Sequence, residues 1–486
     1  MRLHKVRLGF ACNSSSTHSI IFLKPGQKVE DNDVQEREFA WDYFTAASTA
    51  AKRQYVAIHL YQALVHEMGH DIAEAVASSW VPGAEFEPGS PVGHVDHQSV
   101  MVLPQTWKGT GVDKAFFEEW KAFMLRDDVV VLGGNDNDDN THPLADINGS
   151  FHLPLPRDAA PGGLVARKDP RTGVWVVFDR KTGTKIRFTF DSPTSTVKPH
   201  EKAHAPELVD IKITDNCPFG CSFCYQGSTH EGKHADYQRS LSSLPYILGE
   251  MRVFEVALGG GEPTLHPNFL DLLQAFRRYG VIPNFTTKNL AWLRDPAVWP
   301  KVIDEIGSFA YSATSHTEVE KLASLLAING IDRSKVAVQF VMGSSNLYEL
   351  ETIARECAKN HIRLTLLGYK TTGRGKDVKP EPYKGWLAMF QKLQKDGHYV
   401  NLGIDTALAR ESSTDLAKAK IHPNLYETNE GLTSMYIDGV AMKLGPSSYV
   451  EDIAMKRVES LTKESILGAF SQWGKPAWSK LDTLDG

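Results

Sequence analysis

Cys217-Pro218-Phe219-Gly220-Cys221-Ser222-Phe223-Cys224 packs three of the chain's five cysteines into eight residues. The spacing is Cys-x3-Cys-x2-Cys, with an aromatic, Phe223, just before the last cysteine. Three thiolates on one tight loop can hold three irons of a 4Fe–4S cube and leave the fourth iron open to a small molecule. The same thiolates with His230 or His234 would also make a zinc site. Cys12 and Cys357 lie far from the loop and from each other, which is no disulfide framework; a reducing compartment, the cytoplasm, is expected. Too few thiolates remain for a second cluster, so one per chain is the ceiling.

The loop directly follows an apolar, strand-like run at 208–213. Five more such runs come at 253–258, 281–285, 309–312, 336–341 and 362–367, with helical stretches between them, among them 268–279 and 347–360. This alternation predicts a parallel sheet with helical crossovers, closed or partly closed into a barrel, with its chemistry at the carboxyl ends of the strands. A second motif, Gly259-Gly260-Gly261-Glu262-Pro263, ends the second run. Successive glycines let a backbone approach a ligand closely. On neighbouring strands, the two motifs would face each other across one mouth.

With both motifs in place, residues 207–376 resemble the radical S-adenosylmethionine (radical SAM) enzymes, whose signature is Cys-x3-Cys-x-aromatic-Cys followed by Gly-Gly-Glu-Pro. The resemblance implies a partial (β/α)6 TIM-like barrel and one 4Fe–4S cluster on Cys217, Cys221 and Cys224. It implies that S-adenosylmethionine chelates the open iron and is split to a 5′-deoxyadenosyl radical that abstracts a substrate hydrogen. Phe223 matches the aromatic beside the adenine, and Gly260, Gly261 and Glu262 match the segment holding the methionyl amine. Ser312 sits where the family contacts ribose or carboxylate; Gln339 and Tyr369 fall in adenine-contact segments. The resemblance names no catalytic side chain, and it implies a reductase or flavodoxin-type electron donor.

Around this core the 486 residues divide into an α+β domain over 1–160, a β-hairpin and linker over 161–206, the partial barrel over 207–376, and a carboxyl extension over 377–486, an α/β protein as a whole. Helices are predicted at 45–78 and 113–125. A net charge of −6 carries no global nucleic-acid or membrane signature. No apolar run is long enough to cross a bilayer, and residues 1–10 do not read as a secretory signal. The stretch at 430–448 resembles a SPASM hairpin, with serines where that domain carries cysteines; the extension would then cover substrate without an auxiliary cluster.

Several further motifs invite a chemical reading. His66-Glu67-Met68-Gly69-His70 fits the zinc pattern His-Glu-x-x-His, though a surface helix end explains it as well. Asp96–Ser99, the acidic stretch 133–140 and the hydroxyl-rich Asn13–His18 could bind a cation, substrate or phosphate, or be polar turns. The hairpin 166–187 carries seven Lys/Arg against two Asp, with Trp175 and Phe178 between them, a pattern that suits a nucleic-acid strand or an ordinary exposed hairpin. Arg374 and Lys376 could hold an anionic substrate group or be solvated. Cys357 reads as a small buried apolar residue. A peptide or protein substrate, a nucleotide or nucleic acid, and a non-catalytic metal-binding role are the readings this leaves open.

Overall fold

The computed structural model describes residues 2–7, 16–23, 26–31, 38–39, 44–95, 102–135, 151–152, 163–190, 202–421, 425–450 and 454–473. Cys12, Asn13–Ser15, Asp96–Ser99 and residues 136–140 lie outside them. The chain forms two compact units, Met1–Pro199 and His200–Gly486.

The second unit is built on a ten-stranded sheet. Its strands are β1 (Leu208–Thr214), β2 (Glu255–Gly260), β3 (Ile282–Thr287), β4 (Phe309–Ser312), β5 (Val336–Val341), β6 (Arg363–Leu367), β7 (Leu402–Ile404), β8 (Ser434–Asp438), β9 (Lys443–Gly445) and β10 (Lys456–Arg457). Their order is β7-β6-β5-β4-β3-β2-β1-β8-β9-β10. Pairing is parallel from β7 through β1 to β8, and antiparallel for β8–β9 and β9–β10. The six predicted strands are all present. Beyond them, the carboxyl extension supplies β7 at one edge and β8 to β10 at the other. The unit is a mixed α/β structure with one large, mostly parallel sheet.

Alternation along the strands explains why the sheet has two unlike faces. In β5, Val336, Val338 and Phe340 are buried while Ala337, Gln339 and Val341 are half-buried. The buried set joins β1 residues Val209, Ile211 and Ile213 and the helices α1 (Leu244–Glu250), α2 (Phe269–Arg278), α3 (His316–Ile328) and α4 (Leu347–Lys359) in one core. Side chains at the alternate positions are small or polar: Asp210, Gly259, Thr286, Ser312, Gln339 and Thr365. Register puts Asp210 beside Tyr436, Lys212 beside Gly259 and Asp438, and Ser312 beside Gln339, which neighbours Thr365. Parallel sheets are ordinarily apolar on both faces, so a polar face is a place where something other than a helix packs. Cys357 is buried on α4, where burial pushes its thiol up to about 12.

The first unit has its own core. One sheet joins Phe44–Ala46, Val129–Asn135, Ser16–Phe22 and Phe151–His152. Another runs Arg2–Arg7, Lys185–Thr189, Trp175–Asp179 and Leu164–Lys168. Two sequence expectations change here. The helix predicted at 45–78 is two helices, Thr49–Met68 and His70–Trp80, broken at Gly69 with φ +77°. The break takes His66 and His70 off a common helical face. Glu67 instead accepts hydrogen bonds from Gln105 (2.6 Å) and the Gly111 N–H (3.0 Å), and His70 Nδ1 meets the Tyr61 hydroxyl at 2.5 Å. Glu67 and His70 thus brace the fold, and among the described residues they belong to no cluster of three metal-binding side chains.

The basic hairpin is the other change. Trp175 and Phe178 are 2% and 1% exposed, so neither ring is available to stack on a base. The Trp175 indole N–H donates to Glu119, which also pairs with Lys168. Asp169 and Asp179 accept backbone N–H groups of the two turns and shape them. The hairpin is an internal part of the first unit.

Candidate active site

At Thr214 the chain leaves β1 and enters the cysteine loop, which a short ladder closes. The Asp215 N–H donates to Lys233 O (2.8 Å), Cys217 N–H to Thr229 O (2.8 Å) and Thr229 N–H to Asp215 O (3.2 Å). The Cys224 N–H turns back onto Cys221 O at 3.2 Å. The three cysteines are free and half-buried, as is Phe223. Burial pushes the thiols of Cys217 and Cys221 up, while Lys288 pulls Cys221 back down. Among the described residues no three metal-binding side chains are already drawn into one ligand set. Neither zinc candidate stands with the thiols: the His230 side chain is 80% exposed beside Glu231, and His234 Nδ1 lies 2.9 Å from the Thr214 hydroxyl.

The glycine motif is stitched to this loop by backbone. The Gly261 N–H donates to Thr214 O (2.6 Å) and the Glu262 N–H to Asn216 O (2.8 Å). So close is the approach that a Cβ on Gly260 would lie 2.2 Å from Thr214 O, and one on Gly261 2.2 Å from Asn216 O. Gly260 also has φ +111°, outside the range a side chain tolerates. Only glycine lets the end of β2 lie against the start of the cysteine loop.

Glu262 is 1% exposed and its carboxylate is fully engaged. It accepts from the hydroxyls of Thr264 and Thr287 (both 2.7 Å) and from the N–H groups of Thr264 (3.3 Å), Lys288 (2.9 Å) and Asn289 (3.3 Å). The side chain ties the end of β2 to the end of β3. What this segment offers a ligand is therefore its backbone.

Next along the carboxyl ends of the strands, Lys288 donates to Ser312 O (3.2 Å) and to Glu318 (2.8 Å), whose carboxylate also takes the Thr314 N–H and hydroxyl. Ser312 and Gln339 are register neighbours on the polar face, and Gln339 accepts from the Thr286 hydroxyl at 3.3 Å. Tyr369 is committed to its own loop, donating to the carbonyls of Gly375 and Val378 (both 3.1 Å). Arg374 does not stand ready for a substrate anion: its Nε and Nη1 donate to Cys221 O (2.9 Å) and Ser228 O (2.7 Å). Lys376 is exposed.

A charged group that the sequence reading missed lies beyond the loop. Lys370 sits 3.5 Å from Asp405 and over the rings of Tyr225 and Tyr449, 4.8 Å from each centroid. Glu430, just ahead of β8, accepts from the Tyr449 hydroxyl at 3.2 Å. Asp210 on β1 is coupled to the same charges; burial first, then Glu430 and Glu255, push its carboxyl from 3.8 to about 7 against the pull of Lys370. Lys212, one step along that face, pairs with Asp215 (2.5 Å) and Asp438 (3.3 Å). Strand parity was the available signal: Asp210 and Lys212 alternate with Val209, Ile211 and Ile213. The contributions of Glu430 and Tyr449 depend on β8 and β9 joining the sheet, which local sequence does not announce.

The donor set fits an iron–sulfur cluster with one open iron: three free thiols on one loop, faced by a glycine backbone that no side chain can invade. Residues 211–307 match the family model described as the Radical SAM superfamily. Among curated proteins, the chain is 22% identical over 204 residues to the "Probable GTP 3′,8-cyclase" of Thermoplasma volcanium, covering 38% of this chain and 60% of that one. It is 25% identical over 190 residues to the mycofactocin maturase MftC of Mycobacterium ulcerans, covering 36% of this chain and 50% of that one. The chain thus spans 60% of the length of the first relative and half of the second. Among solved structures, SuiB of Streptococcus suis bound to precursor peptide SuiA matches at TM-score 0.48 and 14% identity, over 66% of this chain and 89% of that one. With the cysteine loop, the glycine segment and the matched residues in agreement, residues 211–307 carry a radical SAM domain, the domain of a superfamily of enzymes that work with a 4Fe–4S cluster and S-adenosylmethionine.

Proposed function

We propose that the protein reductively cleaves S-adenosylmethionine and uses the resulting radical to modify a peptide or protein by hydrogen abstraction. The single observation that carries the chemistry is the backbone seam between the cysteine loop and Gly260–Glu262 at the ends of adjacent parallel strands. Cys217, Cys221 and Cys224 would hold the cluster, and Gly260, Gly261 and the polar positions Ser312 and Gln339 would line the S-adenosylmethionine side, with Phe223 beside the adenine. When bound, the cluster and S-adenosylmethionine supply one-electron reduction and a 5′-deoxyadenosyl radical. The electron comes from an external reductase or flavodoxin-type donor. The chain's own part is to hold the loop and exclude competing contacts: Glu262 braces β2 against β3, and Lys288 with Glu318 braces β3 against β4.

The choice of a peptide over a nucleotide rests on the cations at the mouth. Lys212, Lys288 and Lys370 are each paired with carboxylates, and Arg374 is spent on backbone carbonyls. A triphosphate needs several arginines or lysines free to meet it, and prising these from their partners would leave buried carboxylates uncompensated. The extra strands β8 and β9 bring Glu430, Tyr436 and Tyr449 to the same mouth, which suits a substrate with hydrogen-bonding and cationic groups.

Anaerobic reconstitution with iron and sulfide followed by a one-electron reductant tests the reading. Cluster absorbance and 5′-deoxyadenosine release are expected, both lost in Cys221→Ala. A colourless zinc protein would sink the enzyme reading. A peptide fraction should stimulate 5′-deoxyadenosine release above the uncoupled rate; stimulation by nucleoside triphosphates alone would overturn the substrate class.

A further inference from the structure

We infer that Lys370–Gly375, the segment leaving β6, is a clasp that holds the cysteine loop in its ligand-ready shape, with Arg374 as the positioning residue. The inference rests on reading Cys217, Cys221 and Cys224 as the cluster ligands. The clasp reaches the loop across 146 to 153 residues of sequence. Arg374 spans it with three bonds: Nε to Cys221 O (2.9 Å), Nη1 to Ser228 O (2.7 Å) and its own N–H to Cys224 O (2.9 Å). The Thr372 hydroxyl adds a fourth, to Tyr225 O at 3.2 Å. Four carbonyls of the loop thereby accept from one neighbouring segment, whereas within 218–228 the turns supply only Cys224 N–H to Cys221 O and Gly227 N–H to Cys224 O.

The backbone fit is as close as the hydrogen bonding. Gly373 has φ +55°, and a Cβ there would lie 2.4 Å from Tyr225 O and 2.6 Å from Cys224 O. A Cβ on Gly375 would lie 2.4 Å from Lys370 O and 3.4 Å from Phe223 O. Farther back, the Lys370 ammonium over the Tyr225 ring closes the other end, and the Ser448 hydroxyl donates to Tyr225 at 3.1 Å. The clasp therefore grips the loop from Cys221 through Ser228, the stretch containing two of the three cysteines.

Arginine suits the task because a planar guanidinium offers N–H groups in fixed, diverging directions, so one side chain spans two carbonyls. Gathering three thiolates into one site sets like charges together and orders a flexible loop; a preformed backbone removes the ordering part of that cost. The guanidinium is also a fixed positive charge beside the loop. Reduction adds an electron to the cluster, so a nearby cation favours the reduced form and raises its potential.

The test uses full-length protein and compares Arg374→Ala and Arg374→Lys with the wild type, with Lys379→Ala as an exposed control on the same loop. Hydrogen exchange across residues 217–229 is measured on metal-free protein, and loss of cluster absorbance to a chelator on reconstituted protein. In Arg374→Ala these amides should exchange faster while the core strands keep their protection. The cluster should be lost roughly tenfold faster, the lower end for outer-shell partners of metal ligands. Its reduction potential should move negative. Arg374→Lys keeps the charge but cannot span both carbonyls, so it should hold the potential near the wild-type value and still lose the cluster quickly. Wild-type exchange and chelator kinetics in Arg374→Ala would overturn the clasp. If the wild type takes up no cluster, the ligand reading fails, and the exchange comparison on metal-free protein still decides the clasp.

Discussion

Glu262 shows how a motif residue can be committed to the fold around the site. Its two carboxylate oxygens accept five hydrogen bonds from two chain segments, Thr264 and Thr287–Asn289, at 1% exposure. Replacing it with Gln turns one oxygen into a donor facing the Lys288 and Asn289 N–H groups. We expect Glu262→Gln to lower unfolding free energy by roughly 2–3 kcal/mol, measured by chemical denaturation, since buried donors then lack a charged acceptor. Asp210 is the opposite case, a carboxylate the fold strains against. Its folded pKa of about 7 lies above the unfolded value of 3.8, so between those limits the folded state binds more protons than the unfolded one. Stability therefore falls as pH rises through that window and levels off above about 7. Asp210→Asn should melt higher than the wild type above pH 7, with the gain shrinking towards pH 4; a gain that does not depend on pH would remove Asp210 from this account.

Glycines set the boundaries of the elements, for two different reasons. At Gly261 the constraint is space, because Asn216 O occupies the position a Cβ would take. Gly261→Ala should push β2 off the cysteine loop and reduce iron retained after reconstitution, with the melt of the first unit untouched. At Gly69 there is space and no neighbour, yet φ +77° and ψ 168° form a conformation almost closed to side chains. Gly69→Ala should cost about 1–3 kcal/mol in the first unit, followed by its thermal melt, without changing bound metal. These two cases also mark what was legible beforehand. The six strands, the cysteine loop and the glycine motif could be read because their signals are local: apolar periodicity, residue spacing, glycine runs. Gly69 was read as mid-helix because periodicity continues across it, and only the backbone angle breaks the histidine pair. Trp175 and Phe178 were read as exposed candidates because a β-hairpin was assumed to have a wet face; their strand is flanked on both sides, by Leu164–Lys168 and Lys185–Thr189, and Trp175 packs on Phe116. Arg374 looked like a substrate ligand because the loop it bonds three times lies about 150 residues away, beyond any local pattern.

At the scale of the molecule, each unit closes its own apolar core. One gathers residues from Ala203 to Phe470, the other residues from Ile20 to Phe188. The large sheet is completed from within the second unit, since β8, which flanks β1, comes from Ser434–Asp438. That pairing makes the carboxyl extension part of the sheet that carries the cysteine loop: β1 leads straight into Cys217, and losing β8 would expose the hydrogen-bonding edge of β1 and take the buried Met435 and Ile437 out of the core. Two fragments should therefore behave differently. Residues 200–486 should melt cooperatively and take up one cluster on anaerobic reconstitution, because every residue of the seam, the clasp and the charged mouth lies within them. Residues 200–430, which end before β8, should lose cooperative melting and fail to retain iron, although all three cysteines, Gly261 and Arg374 are still present. Circular dichroism melts with iron and sulfide analysis distinguish the outcomes. Iron retention by the shorter fragment would mean that the extension only covers the mouth and that β1 holds the loop unaided.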